Sequence, residues 1–357
     1  MVREMIHKEK QSSSPRIAIV KLSSIGDCLL ATPVARALRV KHPRSYIAWV
    51  IQKSAAPVVE GNPWLNEVIV CPDTRLTSLV RTGLLLRRKG FDWLIDLQGT
   101  LKSAVISLLS AAGQRIVSSR AKGTARFVAN LVVPMPDPPP HAVFQYLRMA
   151  APLGVEENDR SLYFPLSEAD RRFATAFLQE KKVEENSLLI GLVPGALRAI
   201  KQWSIENFAA LADALSADGA TPIVFGSPAE MGIAEQLCNL CKCKPVIAAG
   251  QTTLSQLGAL LELCDVVVSG DTGPMHIAAA VGTPVVALFG PTDPQRTGPV
   301  GDQHIVLTRH LPCQPCFQRP TCQGFDCMRG LEVQDVLTPV RRILNKSREL
   351  HSGYAIA

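Results

Sequence analysis

The sequence predicts an α/β protein of two successive doubly wound domains, each a parallel sheet covered by helices. The chain of 357 residues is longer than one hydrophobic core normally supports, and its 47% hydrophobic content suffices to bury two. Short β-rich apolar runs alternate along it with amphipathic stretches of helical period, and this alternation pauses once and restarts. We therefore expect two sets of strand ends that face a central cleft, where such folds bind ligands.

The first domain is predicted to begin with a strand, a turn and a helix. RIAIVKL at 16–22 is β-rich, SSIGD forms the turn, and CLLATPVARALRVKH at 28–42 repeats apolar residues at helical spacing. The same order continues with strands at 46–51, 67–71 and 93–97 and with a helix at 76–90. Strands separated by covering helices run parallel.

A second domain is predicted after a proline-rich hinge (PMPDPPP), a helical stretch at 142–155 and the polar run EENDRS. Strands are expected at 188–195, 221–227, 244–249, 265–270 and 283–290, and helices at 205–219, 228–240 and 254–264. These patterns divide the chain into a flexible leader at 1–15, a first domain at 16–160, a second domain at 161–345 with a cysteine-rich loop at 313–327, and a tail at 346–357.

The net charge of the chain indicates which classes of partner to expect. It carries 38 Lys and Arg against 31 Asp and Glu, a net charge of +7, which favours an anionic substrate or membrane surface. The basic residues are scattered and are not interleaved with aromatic ones, so we expect no nucleic-acid partner. The leader lacks the apolar core of a secretory signal, and no apolar run reaches the ~20 residues that span a bilayer. We expect a cytoplasmic protein whose membrane contact is peripheral.

One turn is typical of a phosphate site. SGDTGPMHIAAAVGTPVVALFGPTDP at 269–294 places Asp271, Thr272 and Gly273 between a buried strand and a helix, with Pro274 as the expected first helical residue. The free amides and the dipole of that helix favour a phosphate, and Gly273 lets the ligand approach the backbone. His276 lies in the first helical turn. In the alternative interpretation, Asp271 or Thr272 only caps the helix and His276 is a surface residue.

A second loop meets the same requirement. PGALRAIKQW follows the strand at 188–195 and presents Arg198 and Lys201 after Gly195. Two cations beside a glycine turn suit a diphosphate, although a solvated basic loop has the same composition. Neither loop contains G-x-G-x-x-G or G-x-x-x-x-G-K-[ST], which argues against a dinucleotide dehydrogenase and a P-loop NTPase.

A carboxylate in the first domain offers base chemistry. In KLSSIGDCLLATP, Asp27 falls where a strand gives way to a helix, so we expect its side chain at the sheet edge. Nearby helix amides are expected to lower the pKa of Asp27 and keep it ionised, as a general base requires. A plain helix N-cap is the alternative role.

These motifs resemble one known family. KLSSIGDCLLATPVARAL, DLQGTLKS, PGALRAIKQW, FGSPAE and above all GDTGPMHIAAAVGTPVVALFGPTDPQRTGP look like glycosyltransferase family 9, the heptosyltransferases of lipopolysaccharide core assembly, from about residue 16 to residue 345. The resemblance implies two Rossmann-like domains facing a central cleft, the GT-B glycosyltransferase fold. The first would bind the lipopolysaccharide core precursor and the second ADP-heptose, on the cytoplasmic face of the inner membrane.

The resemblance also implies residue roles. Asp27 would deprotonate the acceptor hydroxyl, and Lys201 would neutralise the leaving diphosphate. Because DLQGTLKS also follows a predicted strand, Gln98 and Lys102, together with Gly26 beside the base, are expected to bind an acceptor made anionic by Kdo or phosphate, unless Lys102 is only a solvated surface residue. The residues expected at the donor are Gly195, Lys201, Glu230 at the ribose, Ala249 and Gly250 at the adenine, Asp271, Thr272, Gly273 and His276.

The implied reaction is a single displacement that inverts the anomeric carbon. Lys201 and the helix amides would stabilise the charge that develops on the diphosphate more strongly in the transition state than in the ground state. No metal or other cofactor is required in this scheme, and the chain contains no Asp-x-Asp motif. The alternative is a transferase of the same fold that uses another nucleotide sugar for a different surface glycan, because sugar selectivity depends on a few hydrogen bonds in the pocket.

The ten cysteines raise a separate question. CQPCFQRPTCQGFDCM has the spacing C-x2-C-x5-C-x4-C, and four thiolates this close can hold zinc or an iron–sulfur cluster. The alternatives are reduced thiols and a labile disulfide, because the spacing is not that of a paired zinc ribbon. The four cysteines are Cys313, Cys316, Cys322 and Cys327. A second group, CNLCKC at 238–243, has only three thiols and is interpreted as a helix end.

Overall fold

The protein is described from a computed structural model that covers residues 14–317, 322 and 324–353, without the side chains of residues 350–353. It divides into two compact units, of which the first (unit 1) ends at Pro165 and the second (unit 2) begins at Leu166. The predicted leader at 1–15 lies almost wholly outside the described residues.

The division between the units falls later than the predicted boundary between residues 160 and 161. Residues 161–165 pack on unit 1, where the Tyr163 amide donates to Thr32 Oγ1 at 3.1 Å and the Tyr163 ring meets Trp64 edge to face at 4.9 Å. These contacts join residues far apart in the chain, so they cannot be seen in the local sequence. The polar run before Tyr163 therefore suggested a boundary about five residues too early.

Unit 1 is built on a six-stranded parallel sheet with the order β3-β2-β1-β4-β5-β6. Its strands are β1 (Arg16–Val20), β2 (Tyr46–Gln52), β3 (Glu67–Cys71), β4 (Trp93–Asp96), β5 (Gln114–Ser118) and β6 (Leu131–Val133). The first four confirm the predicted strands. We did not predict β5 and β6, which are short and partly exposed. β5 contains only two apolar residues and β6, although apolar, is only three residues long, so pairing with the neighbouring strand defines both.

The helices of unit 1 follow the predicted pattern with two interruptions. They are α1 (Ile25–Leu30), α2 (Thr32–Lys41), α3 (Leu76–Lys89), α4 (Leu101–Ser110), α5 (Ala125–Val128) and α6 (Ala142–Met149). The single helix predicted at 28–42 is in fact the pair α1 and α2, since Pro33 cannot donate a helical hydrogen bond and instead lies in the first turn of α2. The stretch predicted at 142–155 likewise stops at Met149, just before Pro152 in a 3₁₀ turn.

Unit 2 repeats the same architecture. Its parallel sheet has the order β12-β11-β10-β7-β8-β9. The strands are β7 (Leu188–Val193), β8 (Ala220–Val224), β9 (Val246–Ile247), β10 (Val266–Gly270), β11 (Val285–Leu288) and β12 (Ile305–Leu307). The first five confirm the prediction, whereas β12, a short strand paired with β11, was missed.

The helices of unit 2 cover both faces of its sheet. They are α7 (Glu168–Glu180), α8 (Ile205–Ala217), α9 (Met231–Leu240), α10 (Leu254–Glu262), α11 (Gly273–Ala280), α12 (Pro294–Thr297), α13 (Asp326–Arg329) and α14 (Val333–Gly353). The prediction of a tail from residue 346 needs correction, because helix α14 continues to Gly353. Its buried residues Val336, Val340 and Leu344 join the core beneath the sheet. None of the helices within the described residues is long and apolar enough to cross a membrane.

In both parallel sheets, successive strands are added first on one side of the starting strand and then on the other. The strand order runs outward from β1 in one direction and from β4 in the other, and in unit 2 the equivalent neighbours are β7 and β10. Crevices at the carboxyl ends of such neighbouring strands are the usual ligand sites of doubly wound sheets. The loops after β1, β4, β7 and β10 are therefore where each unit is expected to bind a ligand.

Candidate active site

In unit 1 the loop after β1 presents Asp27. Asp27 is the third residue of α1, and its Oδ2 accepts hydrogen bonds from the Ser24 amide at 3.4 Å and from Ser24 Oγ at 3.0 Å. The carboxylate thus lies at the helix start, as predicted, and is fixed by the residue that caps the helix. Gly26 beside it is buried within α1.

Two residues from other elements complete the surroundings of Asp27. The Tyr146 hydroxyl, on α6, donates to Asp27 Oδ1 at 3.2 Å, and the Lys21 Nζ lies 5.1 Å from the centroid of the Tyr146 ring. Burial alone would raise the pKa of Asp27, but the charge of Lys21 and the hydrogen bonds from Ser24 and Tyr146 outweigh it and lower that pKa below its usual value. Asp27 is therefore ionised at neutral pH. The direction of its pKa shift is the one expected from the sequence.

The loop after β4 lies against the loop after β1. Gln98 Oε1 accepts hydrogen bonds from the amides of Leu22 at 3.0 Å and Ser23 at 3.2 Å. Gln98 therefore has a structural role, since it ties the two loops of the crevice together, and only its amide nitrogen is left to bind an acceptor.

Asp96, at the end of β4, anchors the same loop from below. Its Oδ1 accepts from the amides of Gln98 at 3.0 Å and Gly99 at 2.9 Å. Burial raises the pKa of Asp96 to about 6, against the lowering effect of these amides, Ser103 and Lys21. Asp96 is almost fully buried, so it acts on the loop and not on a ligand.

A cavity of about 310 Å³ opens beside these loops. It is lined by Leu22, Ser23, Gln52, Thr74, Gln98, Thr100, Leu101 and Lys102. The predicted acceptor residues Gln98 and Lys102 thus share one cavity, and Lys102 is exposed at its edge. Six of these eight residues carry a hydroxyl, amide or ammonium group, and the ammonium of Lys102 is the group suited to an anionic ligand.

In unit 2 the loops after β7 and β10 meet through an ion pair. Lys201 ends a 3₁₀ turn after β7, and its Nζ lies 2.7 Å from Asp271 Oδ2 and donates to the Asp271 carbonyl oxygen at 3.4 Å. Both side chains are largely buried, with 21% and 10% of their surfaces exposed. The predicted cation and the predicted donor turn therefore belong to one site, whereas Arg198 is exposed in the same loop.

The donor turn has the predicted helical start, displaced by one residue. Thr272 is the N-cap of α11, which begins at Gly273, so Pro274 is its second residue. The Thr272 hydroxyl makes a hydrogen bond with Ser269 Oγ at 3.1 Å and not with the helix amides. The alternative view of His276 as a surface residue is wrong, because His276 is 4% exposed.

Gly195 and Glu230 are in direct contact. A Cβ atom on Gly195 would lie 2.2 Å from Glu230 Oε1, so the carboxylate fills the space that any other residue at 195 would need. Glu230 Oε2 accepts from the Ser227 amide at 2.8 Å and from Ser227 Oγ at 2.7 Å. Glycine at 195 therefore allows Glu230 to lie beside the end of β7.

The residues expected near the adenine lie at the same sheet edge. A Cβ atom on Gly250 would be 3.1 Å from Met231 Sδ, and one on Gly226 would be 3.4 Å from Ala249 Cβ. The carboxyl end of β8, with Gly226, and the start of α9, with Met231, thus adjoin Ala249 and Gly250. Every predicted donor residue lies at the carboxyl edge of the unit 2 sheet, in a loop or in the first turn of a helix. His276 is in the first turn of α11.

The cysteine-rich loop does not form the metal site considered from its spacing. Cys313 is exposed, Cys316 and Cys322 are partly buried, and Cys327 is buried. Within the part of the chain that the structure describes, no three of these sulfurs lie within 4.8 Å of one another. A structural metal at these positions is therefore not supported.

Three residues of the unit 1 site were not singled out from the sequence, namely Lys21, Asp96 and Tyr146. Lys21 and Asp96 each carried a signal, because a charged residue at the end of a buried apolar run is expensive unless it is paired. Tyr146 carried none, since it is 119 positions from its partner Asp27.

Comparison of the sequence with known proteins identifies similar heptosyltransferases. A family model described as glycosyltransferase family 9 (heptosyltransferase) matches residues 76–324. The lipopolysaccharide core heptosyltransferase OpsX of Haemophilus influenzae is 27% identical over 342 residues, which cover 92% of this chain and 96% of that protein. The lipooligosaccharide heptosyltransferase 2 of Haemophilus ducreyi is 31% identical over 311 residues, which cover 82% and 88%.

Solved structures share the fold. A family 9 glycosyl transferase from Veillonella parvula superposes with a TM-score of 0.85 at 25% identity and covers 94% of this chain and 99% of its own. E. coli ADP-heptose lps heptosyltransferase II superposes with a TM-score of 0.78 at 22% identity and covers 93% and 99%. Because the family match spans more than half of the sequence and one relative exceeds 30% identity, the chain belongs to glycosyltransferase family 9 and is a glycosyltransferase of the heptosyltransferase type, with two Rossmann-like domains in the GT-B fold.

Proposed function

We propose that the protein transfers a heptose from ADP-heptose to a hydroxyl of the lipopolysaccharide inner core, with inversion at the anomeric carbon and without a catalytic metal. The pairing of Lys201 with Asp271 at the start of α11 carries this proposal, because it combines a cation with free helix amides in one partly buried turn. The relatives act on lipopolysaccharide or lipooligosaccharide, and one structural neighbour is described with ADP-heptose.

The donor diphosphate is proposed to bind at this turn. The amides at the start of α11 and the helix dipole attract phosphate oxygens, and Gly273 leaves the backbone open to them. Asp271 holds the Lys201 ammonium beside the start of α11. Glu230, seated against Gly195, is proposed to accept hydrogen bonds from the ribose hydroxyls, and Ala249 and Gly250 to adjoin the adenine.

Asp27 is proposed as the general base. The acceptor oxygen forms a bond to the anomeric carbon as the bond from that carbon to the diphosphate breaks, and the hydroxyl proton passes to Asp27. The lowered pKa of Asp27 guarantees the ionised form and reduces its basicity. Tyr146 and Ser24 each direct one carboxylate oxygen, so they are positioning residues.

Charge that develops on the leaving ADP is proposed to be stabilised by Lys201 and the α11 amides. These groups supply the positive charge that a divalent ion supplies in other transferases, in keeping with a sequence that has no Asp-x-Asp motif. Gln98, Lys102 and Gly26 are proposed to bind the anionic acceptor in unit 1. We further propose that the protein acts at the cytoplasmic face of the inner membrane by peripheral contact, and has no nucleic-acid partner.

The test is product formation from a Kdo-containing acceptor with ADP-heptose, UDP-glucose or GDP-mannose, each in the presence of EDTA. We expect transfer from ADP-heptose alone, undiminished by EDTA, and a product with the inverted anomeric configuration by NMR. Transfer from another donor would support the alternative of a different surface glycan. A requirement for added metal would refute the proposed role of Lys201.

The matched variant for this assay is Asp27→Ala. It removes the proposed base but leaves the donor turn of unit 2 untouched, so we expect unchanged ADP affinity by calorimetry and a loss of turnover of about 10²- to 10⁴-fold. Substantial residual turnover would remove Asp27 from the base role.

A further inference from the structure

Unit 2 contains a cluster of metal-ligand side chains that does not involve the cysteine-rich loop. It combines Asp213, on α8, with Cys241, which caps the carboxyl end of α9, and with Cys243 two residues later. One carboxylate oxygen and the two sulfurs all lie within 4.8 Å of one another. The sequence placed the two cysteines at a helix end, which is correct, but gave no indication of a carboxylate from another helix.

The backbone holds these three side chains together. Asp213 Oδ1 accepts hydrogen bonds from the amides of Lys242 and Cys243, both at 2.8 Å. The segment 241–243 is therefore wrapped around the carboxylate before any ligand arrives. Such preorganisation lowers the conformational entropy that binding must cost.

The surroundings suit an ion that enters from solvent. Each of the three ligand residues is partly buried, so it is neither sealed from solvent nor fully hydrated. Cys241 and Cys243 pack against the core between α8, α9 and the sheet, which excludes water from the inner side. The Cys241 thiol makes a long contact with the Ala209 carbonyl oxygen, at 3.9 Å, and a hydrogen bond with the Cys243 thiol.

The ligand set is that of a thiophilic ion. Zinc binds cysteine sulfur at about 2.3 Å, so two sulfurs on one tetrahedral ion are about 3.8 Å apart. Sulfur and oxygen atoms within 4.8 Å of one another reach this geometry with small side-chain rotations. Thiolates discriminate against magnesium and calcium, which prefer oxygen ligands.

A fourth ligand is at hand on the same helix. Cys238 is partly buried and lies one helical turn before Cys241, so both side chains are on one face of the end of α9. It also packs against the same core as Cys241 and Cys243. Cys238 is not one of the three residues whose ligand atoms lie within 4.8 Å of one another, so it and a water molecule are the two candidates for a fourth ligand.

We propose that unit 2 binds one zinc-type divalent ion through Asp213, Cys241 and Cys243, with Cys238 or water as the fourth ligand. The ion joins the end of α9 to the middle of α8. It lies at the opposite end of α9 from Glu230, which directly precedes the helix, and a helix of ten residues spans about 15 Å. The site is therefore structural, and it is independent of the proposed donor chemistry.

Cobalt(II) is the probe, because thiolate ligation gives it a charge-transfer band and tetrahedral geometry gives it strong visible bands. The reduced full-length protein is titrated as the variant Cys313→Ser/Cys316→Ser/Cys322→Ser, which removes three of the four thiols of the cysteine-rich loop and leaves only the buried Cys327. We expect one equivalent of cobalt with both spectral features, and their displacement by zinc. Absence of a thiolate band in this background would overturn the proposal.

Two further variants locate the ion in that background. Adding Cys241→Ser and Cys243→Ser should abolish the band, and Asp213→Asn, which keeps an oxygen for the two amides, should weaken cobalt affinity at least tenfold. Retention of the band in the serine variant, or unchanged affinity in Asp213→Asn, would refute the assignment. Circular dichroism verifies folding, and should the serine variant unfold, Asp213→Asn decides. A disulfide among these cysteines in protein purified with reductant, seen as a mass deficit, would also refute it.

Discussion

At the scale of single residues, Asp27 depends on a hydroxyl that reaches it from another helix. The Tyr146 hydroxyl donates to the one carboxylate oxygen that Ser24 does not occupy. This bond stabilises the ionised form, and it also fixes the direction in which that oxygen can accept a proton. A residue with this arrangement acts through the base and not on the substrate.

Tyr146→Phe should therefore alter the pH dependence of the reaction. Loss of the hydroxyl removes one of the causes that lower the pKa of Asp27, so that pKa rises toward its usual value. Since activity requires the ionised base, the acidic limb of the kcat/KM profile should move to higher pH, with a several-fold loss at the optimum. The profile is measured beside Tyr163→Phe, whose hydroxyl has no part in the Asp27 site. An unshifted acidic limb would show that Tyr146 only fills space.

At the scale of elements, the donor edge of unit 2 depends on glycine at the end of a strand. Gly195 leaves room for Glu230, and Glu230 in turn is held by both the amide and the hydroxyl of Ser227. The same device appears in unit 1, where Ser24 holds Asp27 in the first turn of a helix. In each unit a serine three positions before a carboxylate fixes it at a sheet edge.

Gly195→Ala tests this contact. The new Cβ would lie 2.2 Å from Glu230 Oε1, so the carboxylate must move, and because it is the end of a flexible side chain it can do so without unfolding the protein. We expect ADP affinity to fall about tenfold in calorimetry while the unfolding temperature changes little. Gly232→Ala is the matched control, because a Cβ atom there meets nothing within 4 Å inside α9 and should be neutral or slightly stabilising. Equal ADP affinity in both variants would exclude Glu230 from donor binding.

At the scale of the whole molecule, unit 1 carries a buried acid that sets a pH dependence of its stability. Asp96 anchors the loop after β4, and burial raises its pKa to about 6 from an ordinary value of 3.8. The folded state thus retains a proton that the unfolded state releases at lower pH. Since the folded state binds more protons, its stability falls as pH rises between about 4 and 6.

Asp96→Asn should remove this dependence. Its side-chain oxygen still accepts from the loop amides, but it does not ionise. Between pH 4 and pH 7 the wild type should lose up to about 3 kcal/mol of unfolding free energy that the variant keeps. This figure is the pKa shift from 3.8 to about 6 converted to free energy. Urea unfolding followed by tryptophan fluorescence reports it, since three of the four tryptophans, Trp49, Trp64 and Trp93, lie in unit 1. Asp137→Asn, an exposed carboxylate, is the control, and equal pH slopes would contradict the role of Asp96.

Most of the fold was open to prediction because its signals are local. Apolar runs of strand length, helical spacing and turn residues identified the first four strands of unit 1 and the first five of unit 2. The misses were partly exposed strands such as β5, which has two apolar residues, and β12, which is only three residues long, and pairing with a neighbouring strand defines both. The helix breaks at Pro33 and Pro152 were also local, and could have been predicted from proline alone.

The sequence by itself determined the two doubly wound units, the family and the turns in which Asp27, Lys201 and Asp271 lie. Tertiary structure decided which of these side chains meet. Lys201 and Asp271 are 70 positions apart and become partners because β7 and β10 are neighbours in the sheet. Asp213 reaches Cys243 over 30 positions because α8 packs against α9. A side chain's type and its place on a strand or helix are written locally, whereas charge pairing, pKa and ligand sets depend on distances that only the packed sheet and helices fix.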